Sequence, residues 1–141
     1  MSFRVSPAQS SFGPENVLSG VTRPYRWTNL WRSDPAQPLP QWLHLEWDVP
    51  QRLKAVQLIF PGHLVREYHA YGPFYRDPQS PRDYAIEAWS SGSWMRLAEV
   101  TGNYQRLRRH EFEPVETTRL RIVITATNGD PSAAIYEVRC E

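Results

Sequence analysis

Leu43, Leu45, Trp47 and Val49 alternate with His44, Glu46 and Asp48, the period of a strand with one buried face. Val56, Leu58 and Phe60 repeat the alternation after a break at Pro50-Gln51-Arg52-Leu53. The pattern predicts two neighbouring amphipathic strands, 41–50 and 54–60, and such strands need a second layer to bury their apolar faces. Further on, Tyr84-Ala85-Ile86-Glu87-Ala88-Trp89 and Trp94-Met95-Arg96-Leu97-Ala98-Glu99-Val100 flank Ser90-Ser91-Gly92-Ser93 and read as a hairpin. Leu120, Ile122 and Ile124 alternate with Arg119, Arg121 and Thr125 in another strand, and Ile135-Tyr136-Glu137-Val138 supplies a last one. With a short piece at Phe3-Arg4-Val5 and one at His110-Glu111-Phe112, the chain holds about seven or eight strands, no helical period and no repeat. That is an all-β sandwich, read as a single domain over residues 1–141. Its expected core includes Leu43, Leu45, Trp47, Val56, Leu58, Ile86, Leu120, Ile122, Ile124 and Ile135.

Two stretches break the pattern. Residues 21–40 contain Pro24, Pro35, Pro38 and Pro40 with Tyr25, Trp27 and Trp31, and residues 61–83 contain Pro61, Pro73, Pro78 and Pro81 without sustained periodicity. A connection as long as the second is usually functional or disordered, and its aromatics argue against disorder. Composition changes the picture little. Thirteen Pro and seven Gly fit a chain of turns, and eighteen aromatics among 141 residues suit both strands and binding surfaces. A formal charge of +1 gives no reason to expect nucleic acid as a partner. The single Cys140 excludes an internal disulfide and leaves the compartment open. Met1-Ser2-Phe3-Arg4-Val5 does not read as a leader, and no apolar run reaches membrane-spanning length.

Five segments taken in order carry a resemblance: Asn16-Val17-Leu18-Ser19-Gly20, Thr28-Asn29-Leu30-Trp31, Pro40-Gln41-Trp42-Leu43-His44-Leu45-Glu46, Asp83-Tyr84-Ala85-Ile86-Glu87 and Ala133-Ala134-Ile135-Tyr136-Glu137-Val138. Together they resemble the discoidin, or coagulation-factor type C, galactose-binding-like superfamily, which includes the family 32 carbohydrate-binding modules. The resemblance implies a jelly-roll β-sandwich of about eight strands. Val21-Thr22-Arg23-Pro24, the segment 103–110 and Ala126-Thr127-Asn128-Gly129-Asp130-Pro131 are also similar to the C-terminal discoidin-like domain of bacterial FAD-dependent oxidoreductases. Flavin itself is not expected here, because no G-x-G-x-x-G follows a strand.

The resemblance also implies a structural calcium. Its matched positions are the carbonyls of Leu18 and Ala133, the side chains of Ser19 and Thr28, and the carboxylate of Glu137. Ser19 stands where the family has Asp, leaving Glu137 as the single matched acid for an ion that wants several. Arg23 is the alternative partner for that acid.

For ligand binding the resemblance points to loops at one end of the sandwich. The segment 62–76 corresponds to a ligand loop, and its His63, Arg66, Tyr68, His69, Tyr71, Tyr75 and Arg76 suit a sugar. Aromatic rings cover an apolar C–H face while His and Arg satisfy the hydroxyl rim. Trp27 joins them as the tryptophan placed for exposure. Against this stands the reading that Tyr71 and Phe74 merely anchor a long loop. Trp31, Trp42, Trp47, Trp89 and Trp94 read as core or sheet-face residues. Arg106-Leu107-Arg108-Arg109-His110 reads as a salt-bridged strand, with Glu111, Glu113 and Glu116 available, rather than as an anion patch.

No catalytic constellation stands out: the four His lack zinc spacing, and Glu67 with His69 has no orienting third group. The expected function is a non-catalytic binding module for carbohydrate. The alternative is a docking domain for a neighbouring protein domain, such as a FAD-dependent oxidoreductase. Lipid-surface binding ranks below both, because the loop tips are tyrosine-rich and mixed in charge.

Overall fold

A computed structural model describes residues 2–5, 17, 31–61 and 80–141. The described strands are β1 (Ser2–Val5), β2 (Trp31–Arg32), β3 (Gln41–Ile59), β4 (Pro81–Ser90), β5 (Ser93–Val100), β6 (Leu107–Thr127), β7 (Ala134–Ile135) and β8 (Glu137–Cys140). No α-helix occurs among the described residues.

β3 and β6 form the spine, and every strand pair is antiparallel. The first half of β3 pairs Leu43 with Ile122 and Leu45 with Leu120, while the second half pairs Leu53 with Val115 and Leu58 with Arg108. β1 and β4 border only the first-half layer, through β3 and β6 respectively, and β5 extends it beyond β4. β8 borders the second half, with Val56 opposite Cys140 and Ile59 opposite Glu137. One continuous ladder thus bends into two layers. The bend is made by register shifts, between Glu46 and Gln51 and between Leu53 and Ala55, that leave extra residues first on β3 and then on β6. Pro50 and Pro114 fall in these bulges, where no ladder donor is needed.

The two halves meet face to face. Phe60, at the end of the second half, lies edge-on to Tyr84 of β4 at 5.3 Å between ring centroids, although β4 pairs only with the other half. Leu43, Leu45, Ile86, Leu120, Ile122 and Ile124 from one layer share a single buried cluster with Val56, Leu58, Val115 and Val138 from the other. Ile135 and Val17 join it. Full burial of such side chains contributes about 1.5–3 kcal/mol each.

Of the expected core, only Trp47 is partly exposed, packing at the rim of the cluster. Val49 departs from its alternation: it is 65% exposed because it sits in the bulge, where the period of two is interrupted. The break expected after Pro50 is a bend inside one 19-residue strand, and Arg108 to Thr125 belong to one 21-residue strand rather than two.

Candidate functional site

Four connections converge on one end of the sandwich: the segment before Gln41, the long connection between β3 and β4, the connection 101–106 between β5 and β6, and the turn 128–133 between β6 and β7. The register places them together, since Gln41 pairs with Ile124, Pro81 with Thr127 and Tyr84 with Val100. The opposite end holds the Ser91–Gly92 turn and the bulge at Pro50.

Trp27, His63, Arg66, Tyr68, His69, Tyr71, Tyr75 and Arg76, like Ser19 and Thr28, lie outside the described residues. What the structure gives is the frame on which the long connection is mounted. Asn103 is 2% exposed, and its amide satisfies all its bonding capacity locally. Nδ2 donates to the carbonyls of Pro81 at 2.9 Å and Gln105 at 3.3 Å, while Oδ1 accepts from Gln105 N at 3.2 Å and Arg108 Nη1 at 3.1 Å. Its backbone N–H donates to Arg82 O at 2.8 Å. Asn128 adds a second clamp, donating from Nδ2 to Ser80 O at 3.2 Å and Asn103 O at 3.0 Å, and from its backbone N–H to Ser80 O at 3.1 Å. The other root of the long connection is held by Phe60 N donating to Arg106 O at 2.7 Å. Buried carbonyls of loop backbone are costly when unpaired, so these two Asn side chains keep three loops in one arrangement.

The neighbouring turn is fixed as well. Asp130 accepts from Ser132 N at 2.9 Å and Ser132 Oγ at 2.7 Å and lies 3.5 Å from the Arg32 guanidinium. Burial pushes its carboxyl up, but the Ser132 hydrogen bonds and Arg32 outweigh that and hold it below the usual carboxylate range. Asn103 and Asn128 did not stand out in the sequence as site-forming residues. The turn chemistry of Asn128-Gly129, with Gly129 at φ 145°, was the available signal.

Glu137 is buried and ion-paired to Arg139 two residues on, at 3.3 Å, a partner the sequence reading did not name. Arg23 lies outside the described residues. The carbonyl of Ala133 accepts from Ser33 N at 2.9 Å. Of the implied calcium set, the described residues are Glu137, paired with Arg139, and Ala133, whose carbonyl accepts one hydrogen bond from Ser33; Leu18, Ser19 and Thr28 lie outside them. Among the described residues, no group of three or more His, Cys, Asp or Glu is arranged to hold a metal.

The arginine cluster at the start of β6 divides. Arg108 serves Asn103 on the loop side, and Arg106 lies 5.9 Å from the centre of the Tyr136 ring. Arg109 pairs with Glu111 at 3.2 Å and Glu141 at 2.8 Å, so this is a salt-bridged strand, with Glu141 rather than Glu113 or Glu116 as second partner.

The tryptophans sort by layer. Trp31 is fully buried, whereas Trp42, Trp89 and Trp94 lie on the sheet face away from the core. There Trp94 contacts His44 at 5.5 Å and Trp89 at 5.4 Å, and Arg121 sits 4.2 Å over its ring while pairing with Glu87 at 2.7 Å. His110 donates to or accepts from Tyr84 Oη at 2.7 Å between the layers, and so is not presented to a loop.

The architecture is an antiparallel jelly-roll sandwich whose described connections are hydrogen-bonded together at one end. This is the discoidin-like fold of the family 32 carbohydrate-binding modules. No protein-family model matches the chain, and no curated protein matches it in sequence. Among solved structures, the family 32 module of C. perfringens NanJ in complex with galactose superposes with a TM-score of 0.76 over 99% of this chain and 91% of its own, at 15% identity. Chitosan-binding module 1 of a chitosanase/glucanase from Paenibacillus sp. IK-5 gives a TM-score of 0.76 over 99% and 93%, at 14% identity. SpGH29 gives 0.71 at 19% identity, covering 99% of this chain and 26% of that one. At these identities the likeness is one of fold.

Proposed function

We propose that the protein is a non-catalytic carbohydrate-binding module that takes its sugar at the clamped loop end. The observation that supports this reading best is the superposition of nearly the whole chain on a module in complex with galactose and on a chitosan-binding module. The residue types of the 62–79 connection agree with it: tyrosines for the apolar face of a sugar, and His63, His69, Arg66 and Arg76 for its hydroxyls. A rigid frame beneath a loop site lowers the ordering cost of binding, and the Asn103 and Asn128 clamps are such a frame. A glycan array probed with the whole protein tests the reading. Retention of a defined set of sugars supports it, and an empty array with folded protein contradicts it.

A second reading has its own support. The match to SpGH29 covers only 26% of that chain, so the fold occurs there as part of a longer polypeptide. The outer sheet face carries Trp42, Trp89 and Trp94 with Arg119 and Arg121, which pair with Glu46 and Glu87, and aromatic and arginine side chains are the types enriched where domains meet. Co-purification of a catalytic partner with an empty glycan array is the outcome that favours docking, with a FAD-dependent oxidoreductase as the partner class the sequence resemblance suggests.

A further inference from the structure

Of the four asparagines in the chain, at 16, 29, 103 and 128, only Asn128 precedes a glycine. An asparagine loses its side-chain amide when the backbone nitrogen of the next residue attacks its side-chain carbonyl, and glycine, with no Cβ beside that nitrogen, obstructs the attack least. Gly129 is exposed in the 128–133 turn, and its N–H donates to Thr127 Oγ1 across a long 3.4 Å. The same Asn128 side chain is the second clamp of the loop end. Nδ2 donates to Ser80 O at 3.2 Å and to Asn103 O at 3.0 Å. Both bonds need an N–H on the side chain. A carboxylate there would offer oxygen alone to two carbonyl oxygens, so two attractions would become two repulsions.

We propose that Asn128 is a deamidation site whose modification releases the clamp between Ser80, just before β4, and the 101–106 connection. Water is the single co-reactant. Gly129 N gives up its proton to base and bonds to Asn128 Cγ, the Cγ–Nδ2 bond breaks, and Nδ2 leaves as ammonia with a proton from solvent. Water then opens the resulting cyclic succinimide at either carbonyl, giving aspartate or isoaspartate, and no atom changes oxidation state. The closed clamp holds Nδ2 in two hydrogen bonds, so the attack runs from local opening, and the product has no donor with which to close the clamp again. The release is one-way. Leu120 and Ile122 of β6 belong to the buried cluster shared by both layers, so the sandwich should outlast it.

The whole protein is aged in mildly alkaline buffer, with and without urea, and mapped by peptide mass spectrometry with isoaspartate detection. Backbone hydrogen exchange is followed in fresh protein, in aged protein and in an Asn128→Asp variant. In folded protein, Asn128 should convert ahead of Asn16, Asn29 and Asn103. The N–H groups of residues 103 and 128 donate to Arg82 O and Ser80 O. Their exchange in aged protein and in Asn128→Asp should quicken roughly tenfold or more, the loss of about two hydrogen bonds, while Leu120 and Ile122 keep their protection. If Asn128→Asp folds poorly, protein aged after folding gives the same reading. Conversion of Asn128 in urea but not in folded protein over the same time would overturn the proposal, because the fold then shields the site. Modified protein that exchanges like the parent at 103 and 128 would also overturn it, as would modified protein that loses protection at Leu120 and Ile122. In the first case the clamp holds, and in the second it is inseparable from the fold.

Discussion

Tyr84 meets three demands at once. Its ring closes the gap between the layers against Phe60, its hydroxyl pairs with His110 at 2.7 Å, and it is 2% exposed. Burial pushes its phenol well above the ordinary 10.0, with Arg108 opposing, so the pair is built from neutral groups. His110 is held below its ordinary 6.5, first by burial and then by the Arg108 charge. The folded protein thus binds fewer protons there than the unfolded chain, and the contribution of His110 to stability is complete above pH 6.5 and is lost as pH falls through the lowered folded value. Denaturation between about pH 7.5 and 5 should show the parent losing more stability than a His110→Gln variant. Parallel pH profiles of the two proteins would contradict this. Tyr84→Phe should cost about 0.5–1.5 kcal/mol, because the half-buried imidazole loses its hydrogen-bond partner.

Glu137 poses a residue-scale choice between two cations. With Arg139 at 3.3 Å and the Ala133 carbonyl engaged by Ser33, we propose that the protein does not depend on calcium for its fold. A chelator should leave the melting temperature where it was. A large fall, restored by added calcium, would show that Glu137 serves the ion instead. The need for a cation beside this acid was legible from its place in the chain. Which cation was not, because a strand partner at i+2 shares a face only once the strand is known.

At the scale of elements, the hairpin β4–β5 gives the sharpest test of local chemistry. Ser91 at φ 50° and Gly92 at φ 82° both occupy the left-handed region, the requirement of a two-residue turn that follows the twist of its strands. A Cβ on Gly92 would meet no atom within 4 Å, so Gly92→Ala carries only a backbone penalty of about 1 kcal/mol. Ser91→Asn should stabilise by roughly 0.5–1 kcal/mol, since Asn tolerates that conformation better. Equal midpoints in urea for parent, Gly92→Ala and Ser91→Asn would show that the turn does not limit stability. This hairpin was plain in the sequence, because Trp89 and Trp94 close it symmetrically and pair in register. The length of β3 and β6 was not. Pro50 and Pro114 look like stops, and only the ladder shows that they occupy bulges through which the strands continue into the second layer. Val49 was misjudged for the same reason.

At the scale of the molecule, alternation alone was enough for two layers and a core, since Leu43, Leu45, Leu120, Ile122 and Ile124 face one cluster as their spacing requires. The candidate site was legible only in part. Residues with no period, such as those of 61–83, reveal chemistry but not position, and the clamps that position them are single Asn side chains whose partners are backbone carbonyls far along the chain. A fold with that end held by one buried and one half-buried amide makes a rigid mount for a loop, and the function we propose is what such a mount serves. The most direct test is calorimetric titration of the whole protein with galactose and chitotriose. Saturable binding is expected, with a Kd on the order of 10⁻⁵ to 10⁻³ M, weakened roughly tenfold by Tyr71→Ala or Tyr75→Ala with the fold intact. Folded protein that binds neither sugar, or tyrosine variants that bind as the parent does, would contradict it.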